Sequence, residues 1–183
     1  MIKTLAAVSV LVVPFCISAA EIDNQYIGAG AMYVHNEVFP TVTLGVEYSN
    51  GLAFELTGGY LETEYHKSDW DRYDNQNTIL QANLKQTFFS NEFSEVYIRG
   101  SVGGLWWDTT HYERTQTTDP YEIDGSGSDS SFLWGVGAGV DFNLTQQLAL
   151  NLDAGILGLE GKLEELDYSK TDATISANVY FKL

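Results

Sequence analysis

From Tyr26 to Leu183 the chain alternates apolar and polar positions, the period-two pattern of a β-strand whose two faces meet unlike surroundings. Eight stretches carry it. Residues 26–34 place Ile27, Ala29, Ala31 and Tyr33 on one face, and residues 41–48 place Val42, Leu44, Val46 and Tyr48. The third, from Leu52, sets out Leu52, Phe54, Leu56 and Tyr60, and the fourth, 78–88, sets out Leu80, Ala82, Leu84 and Phe88. Residues 95–107 present Val96, Ile98, Val102 and Trp106, followed by a sixth set of Trp134, Val136, Ala138, Val140 and Phe142. The seventh offers Leu148, Leu150, Leu152, Ala154 and Ile156. The last, 174–183, ends the chain on a clean apolar face of Ile175, Ala177, Val179, Phe181 and Leu183. No stretch has the period of a helix.

Short and long connections alternate between these strands. Asn50-Gly51, residues 90–94 and residues 143–147 read as tight turns, Asn-Gly being the strongest short hairpin signal. Residues 35–40 read as a short loop and residues 66–77, 108–130 and 161–170 as longer ones, and Pro40 and Pro120 fall within these loops, where a sheet tolerates proline. Both termini and the three tight turns are then expected at one end and the four loops at the other. Asn143-Leu144-Thr145 matches a glycosylation triplet but lies in a tight turn, and is read as chance.

The opposite face decides what surrounds the sheet. It is mostly glycine with scattered Glu, Asp, Lys, Arg, Asn and Thr, a poor soluble surface but a good lining for a narrow barrel. The apolar face is edged with Tyr33, Tyr48, Tyr60, Phe88, Trp106, Trp134 and Phe142, as an aromatic girdle at a membrane interface requires. Most stretches reach the ~9–11 residues that a tilted membrane-crossing strand needs. The fold expected is all-β: a transmembrane, eight-stranded, antiparallel up-and-down β-barrel with its apolar face toward lipid. An apolar strand at the very end would be an aggregation hazard on a soluble sheet, whereas in a barrel it closes the wall.

The first twenty residues add a destination. Lys3, an apolar run from Leu5 to Ile17 and Ser18-Ala19-Ala20 before Glu21 form a secretory signal peptide, shorter than the ~18 apolar residues of a membrane helix. The expected division is residues 1–20 as signal and 21–183 as barrel. Cys16, the only cysteine, lies in the signal and follows Phe15 rather than the small residue a lipoprotein needs, so the mature chain has no thiol chemistry. A formal charge of −16 disfavours nucleic acid and polybasic membrane attachment. Mean hydropathy of −0.12 excludes a helical membrane protein but not a barrel.

Tyr26-Ile27-Gly28-Ala29-Gly30 resembles the opening strand of the small eight-stranded outer-membrane barrels. Val96-Tyr97-Ile98-Arg99 with Gly103-Gly104, the run from Gly135 to Phe142 and the closing strand extend the resemblance over the whole mature chain. The superfamily is that of the outer membrane protein A transmembrane domain and its OmpX/Ail relatives. It implies export to the outer membrane of a Gram-negative bacterium, insertion by the barrel assembly machinery, contact with outer-membrane lipid and lipopolysaccharide, and a monomer. It does not select among adhesin, channel, lipid-modifying enzyme and structural protein. The chain ends with its eighth strand, so a following peptidoglycan-binding module is not expected.

Three places could carry chemistry. Alternation points Glu47, Glu55, Lys85, Arg99, Asp141 and Asp153 into the lumen, with Lys182 at its mouth, and the resemblance implies that such charges pair across it. They form either a packing network or a gate for a narrow passive pore. The loops are acidic: Asp108, Glu113, Asp119, Glu122, Asp124 and Asp129 face a lone Arg114, and Asp69, Asp71 and Asp74 surround Trp70 and Tyr73. They suit adhesion to an unidentified extracellular ligand, divalent ions shared with lipopolysaccharide, or plain solvation, with no EF-hand spacing present. Catalysis would fall to His111 with the Gly125-Ser126-Gly127-Ser128 run, as in lipid A acyltransferases or deacylases of this size, but proximity in a loop is not a triad. His35 and His66 are expected to be exposed. The expectation is a non-enzymatic barrel with a plugged polar interior and acidic loops, serving envelope integrity or surface adhesion, without cofactor or metal.

The terminal strand departs from the usual assembly signal in one respect, since Leu183 stands where an aromatic is customary. Leu183→Phe is expected to leave assembly equal or better, read as folded barrel accumulating in outer membranes on unheated gels. Loss of insertion would contradict this account of the strand.

Overall fold

The computed structural model describes residues 21–34, 37–66, 71–113, 122–163 and 166–183. They form eight strands: β1 (Ile22–Val34), β2 (Glu37–Tyr48), β3 (Leu52–His66), β4 (Asp71–Ser90), β5 (Ser94–Glu113), β6 (Glu122–Asn143), β7 (Leu148–Leu163) and β8 (Leu166–Lys182). Each pairs antiparallel with the next, and β8 returns to β1 through Tyr26↔Lys182 to Tyr33↔Ile175, closing the barrel.

The tight turns share a chemistry. In each, a side-chain oxygen accepts the backbone N–H two residues on: Asn50 from Leu52 (3.1 Å), Asn91 from Phe93 (2.8 Å) and Thr145 from Gln147 (3.2 Å). The Thr of the glycosylation triplet is therefore a turn residue. Gly51 adopts φ +77°, which only glycine takes without strain. Glu21 and Lys182 lie with the turns, Glu21 O accepting from Ser49 N at 3.0 Å and Gln147 O from Lys182 N at 2.8 Å.

The outward face follows the sequence parity. Ile27, Leu44, Phe54, Leu80, Ile98, Val136, Leu152 and Val179 are all exposed on it. A bulge between Thr87 and Phe89 turns both Phe88 and Phe89 outward, while Leu52, expected with the outward set, is buried at the turn beside it.

Two features differ from the sequence expectation. Residues expected as loops are largely strand: β4 begins at Asp71, β5 runs on to Glu113 and β6 starts at Glu122. Beyond the barrel rim both faces meet water, so hydrophobic alternation ceases although the backbone ladder continues. The lumen, expected to be polar and glycine-lined, also holds an apolar layer toward the loop end. Met32, Val34, Phe39, Ile79, Leu133, Leu157 and Leu159 pack there, with Leu61 and Leu105 against them.

Large rings recur opposite glycines. Tyr26 pairs with Gly45, Tyr180 with Gly28 and Tyr97 with Gly139, and each ring lies where the glycine's Cβ would stand. On the outside the Trp134 ring covers its partner Gly158, and the Trp106 ring covers Gly104. Gly139→Ala is therefore expected to displace Tyr97 and destabilise the barrel by ~1–3 kcal/mol, the usual cost of overpacking. Gly100→Ala, on the outward face with nothing within 4 Å, is expected to be neutral. Urea titration of the lipid-reconstituted barrel, followed by tryptophan fluorescence, compares the two.

Candidate functional site

Two of the lumen acids, Glu55 and Asp141, meet at the Lys85 ammonium. β4 carries Lys85 inward opposite Ala53 of β3 and Arg99 of β5. Two cations in register would repel, and each is drawn to carboxylates on other strands. Lys85 Nζ lies 3.1 Å from Glu55 Oε1 and 3.0 Å from Asp141 Oδ2, with the Tyr97 ring centroid at 4.0 Å. Arg99 donates through Nε to Asp153 Oδ2 (2.9 Å) and through Nη2 to Oδ1 (2.6 Å), a two-pronged pair, and through Nη1 to Ser101 Oγ at 3.0 Å.

Tyrosines and asparagines join the two pairs. The Tyr26 hydroxyl donates to Glu55 at 2.7 Å, Tyr180 does so at 3.4 Å, and Tyr97 donates to Asp153 at 3.2 Å. Asn151 donates to Asp141 (2.6 Å) and to the Tyr97 hydroxyl (2.7 Å), and accepts from Asn178 at 3.2 Å. The side chains of Lys85, Glu55, Arg99 and Asp153 are all below 10% exposed (5%, 5%, 8% and 2%), so these contacts replace hydration. Burying such charges costs several kcal/mol each unless pairing and hydrogen bonds offset it.

Glu47, expected in the same network, stands apart toward the turn end, where Asn24 Nδ2 donates to it at 3.5 Å. Near it Lys182 Nζ lies 3.7 Å from Glu95 Oε1 and donates to Asn143 Oδ1 at 3.2 Å. Cavities of about 30 Å³ and 20 Å³ flank the Lys85 cluster, with Tyr180 lining both. The larger one has room for one or two waters. Sequence reasoning missed the joining role of Tyr26, Tyr180 and Asn151 and the acid Glu95. The detectable signal was an inward tyrosine facing an inward glycine on the next strand.

Of the girdle residues, Tyr33, Tyr60, Trp106 and Trp134 lie toward the loop end and Tyr48, Phe88 and Phe142 toward the turn end. Tyr60 and Trp106 share a register row through Thr78. Trp134 and Tyr48 are only half-buried outward, Tyr48 edge-on to Phe54 at 6.2 Å. Ile175, Ala177, Val179, Phe181 and Leu183 all project outward from the closing strand.

At the loop end, Arg72 Nη2 lies 2.7 Å from Asp74 Oδ2 and Nε lies 3.4 Å from Glu64. Hydrogen bonding to Asp74 raises the Arg72 guanidinium further above its ordinary value. His111 stacks on Tyr73 at 4.4 Å, with Nδ1 3.0 Å from Asp124 Oδ2 and Nε2 3.3 Å from Asp71 Oδ1. Both ring nitrogens thus face carboxylates, and neither is offered to Ser126 or Ser128. Among the described residues no acidic or histidine cluster has metal-binding geometry. Asp69, Trp70, Arg114, Asp119 and His35 lie outside the described residues.

A closed eight-stranded ring with an apolar exterior and charged groups inside is the architecture of an outer-membrane barrel, and the profile of the outer membrane protein beta-barrel domain matches residues 8–181. The chain belongs to that family. No curated protein matches the sequence. Among solved structures, the barrel is similar to a major outer membrane protein from Thermus thermophilus, at TM-score 0.65 and 11% identity, covering 87% of this chain and 99% of that one. It is also similar to Ail, the attachment invasion locus protein of Yersinia pestis, in complex with the heparin analogue sucrose octasulfate (TM-score 0.51, 14% identity, 87% and 97% covered). The N-terminal barrel domain of Pseudomonas aeruginosa OprF matches at TM-score 0.50 and 16% identity, over 88% and 98%. At these identities the likeness is one of fold.

In an outer-membrane barrel the wall faces lipid, so lumen charges find partners only within the tube. Lys85→Met is expected to destabilise by ~3–5 kcal/mol, because Glu55 and Asp141 lose their shared cation. Adding Glu55→Gln should recover part of that loss. Urea midpoints of the single and double variants in lipid measure both.

Proposed function

We propose that this chain is a non-enzymatic, monomeric outer-membrane barrel whose interior is a plug and whose acidic strand extensions act at the cell surface, for envelope integrity or adhesion. The observation that carries the reading is the double filling of the lumen: the Lys85 and Arg99 ion pairs, and above them the apolar layer around Ile79 and Leu133. Eight strands leave an interior only wide enough for side chains, and here they occupy it. With the turns in the periplasm, the extensions of β3 to β6 stand outside the cell, among lipopolysaccharide. Cleavage of residues 1–20 and insertion by the barrel assembly machinery complete the proposal.

The ligand class differs from that of the Yersinia relative, which was solved with a sulfated sugar. At the loop end Arg72 is held by Asp74 and Glu64, and Lys170 lies 3.6 Å from Asp172. Carboxylates already take up these two cations, so the described part of this surface favours a neutral or cationic partner over a polyanion.

A narrow pore is the second reading, favoured by the two cavities on either side of Lys85. Planar-bilayer recordings separate the two. Wild type and Arg99→Ala are expected to show no unit conductance, and steady conductance steps in wild type would replace the plug with the pore. A deletion strain is expected to lose detergent resistance or adherence, and a strain unchanged in both would remove the surface role.

A further inference from the structure

We propose that His111 is a pH-operated clamp on the surface extension, tying β6 to β4 through β5 when its ring carries both protons and releasing one side when it carries one. The argument begins with hydrogen-bond inventory. Asp71 and Asp124 lie at opposite ring nitrogens, 3.3 Å and 3.0 Å away. An ionised carboxylate only accepts, and a neutral imidazole has a single N–H to donate. The neutral ring makes one of these bonds and turns a lone pair toward the other acid. The imidazolium makes both.

The position of Asp124 makes the second bond matter. His111 pairs with Gly125 and Tyr112 with Ile123, so Asp124 is the extra residue of a bulge, turned out of the ladder toward the ring. β6 meets β7 only from Ser131↔Gly161 onward. Among the described residues its outer segment, residues 122–130, is therefore paired with β5 on one side alone, and Gly125 and Gly127 have no described neighbour within 4 Å of a would-be side chain.

The charges around the ring set the sign. β4 contributes Asp71 and the stacked Tyr73, β6 contributes Asp124 with Glu122 beside it, and on β5 the next residue of the same face is Glu113. Arg72 and Tyr112 occupy the opposite face, where the guanidinium lies 5.2 Å from the Tyr112 ring. Glu113, Glu122 and Asp124 thus line the β5–β6 seam beside the ring. With a neutral ring these acids repel across the seam, and with a protonated ring Asp124 is bonded across it. The clamp is closed toward acid pH, where the ring carries both protons, and opens toward alkaline pH, where it carries one.

Amide hydrogen exchange of the full protein in lipid nanodiscs tests this, at about pH 5.5 and pH 8, after correction for the intrinsic pH dependence of exchange. Wild type is expected to show roughly three- to tenfold greater protection of residues 122–130 at the lower pH, the range set by two partly exposed ion pairs. Residues 97–103 in the barrel wall should show no such difference. His111→Gln, which keeps a polar side chain but cannot titrate, is expected to abolish the difference. Equal wild-type protection at both values, or a pH response surviving in His111→Gln, overturns the clamp. Should that variant fail the heat-modifiability gel, Asp124→Asn is read instead, and an undiminished response there overturns the clamp equally.

Discussion

An ammonium group inside a lipid-wrapped tube is the constraint from which most of this structure follows. Lys85 is only 5% exposed and has no outlet through the wall. Glu55 from β3 and Asp141 from β6 supply its counter-charge, and the faces of Tyr97 and Tyr180 supply the rest of its surroundings at 4.0 and 5.5 Å. Those acids in turn need their remaining lone pairs filled, which Tyr26, Tyr180 and Asn151 do. Arg99 and Asp153 repeat the scheme between β5 and β7. Strands β3 to β7 are thereby tied across the lumen rather than only along its wall.

Such a network needs space for aromatic rings in a tube that has little. Glycine provides it. Tyr26, Tyr97 and Tyr180 each lie over a glycine of the adjoining strand, so the ring runs along the wall and its hydroxyl reaches the acids near the axis. The glycine richness of the inward face is thus a record of where rings lie. The apolar layer around Ile79 and Leu133 packs on the loop side of this polar network.

Parity was the legible part. Glu55, Lys85, Arg99, Asp141 and Asp153 could be assigned inward from the alternation alone, because the residues between them are apolar and face lipid. Their pairing was not legible, since which inward residues meet across the axis depends on strand tilt and register. The apolar layer was hidden for a related reason: where an inward apolar residue adjoins an outward one, as in Ile79-Leu80, Leu133-Trp134 and Ile156-Leu157, the period-two contrast disappears. The extensions of β4, β5 and β6 were hidden by the opposite effect. Tyr73, Thr109, His111 and Ser128 have water on both sides, so no hydrophobic contrast marks them as strand. In the sequence His111 reads as a loop residue near serines, whereas the cross-strand register sets it between two acids.

The continuity of β5 from Ser94 to Glu113 also bears on how the cell surface would be touched. Arg99 and His111 sit on one unbroken strand, with no hinge between the membrane wall and the outer sheet. A partner meeting the described strands of the extension encounters a surface whose shape is already chosen, so little chain entropy is lost on contact. The same stiffness limits its reach: it cannot sweep a volume as a free loop does, and engagement depends on the partner arriving in the right orientation.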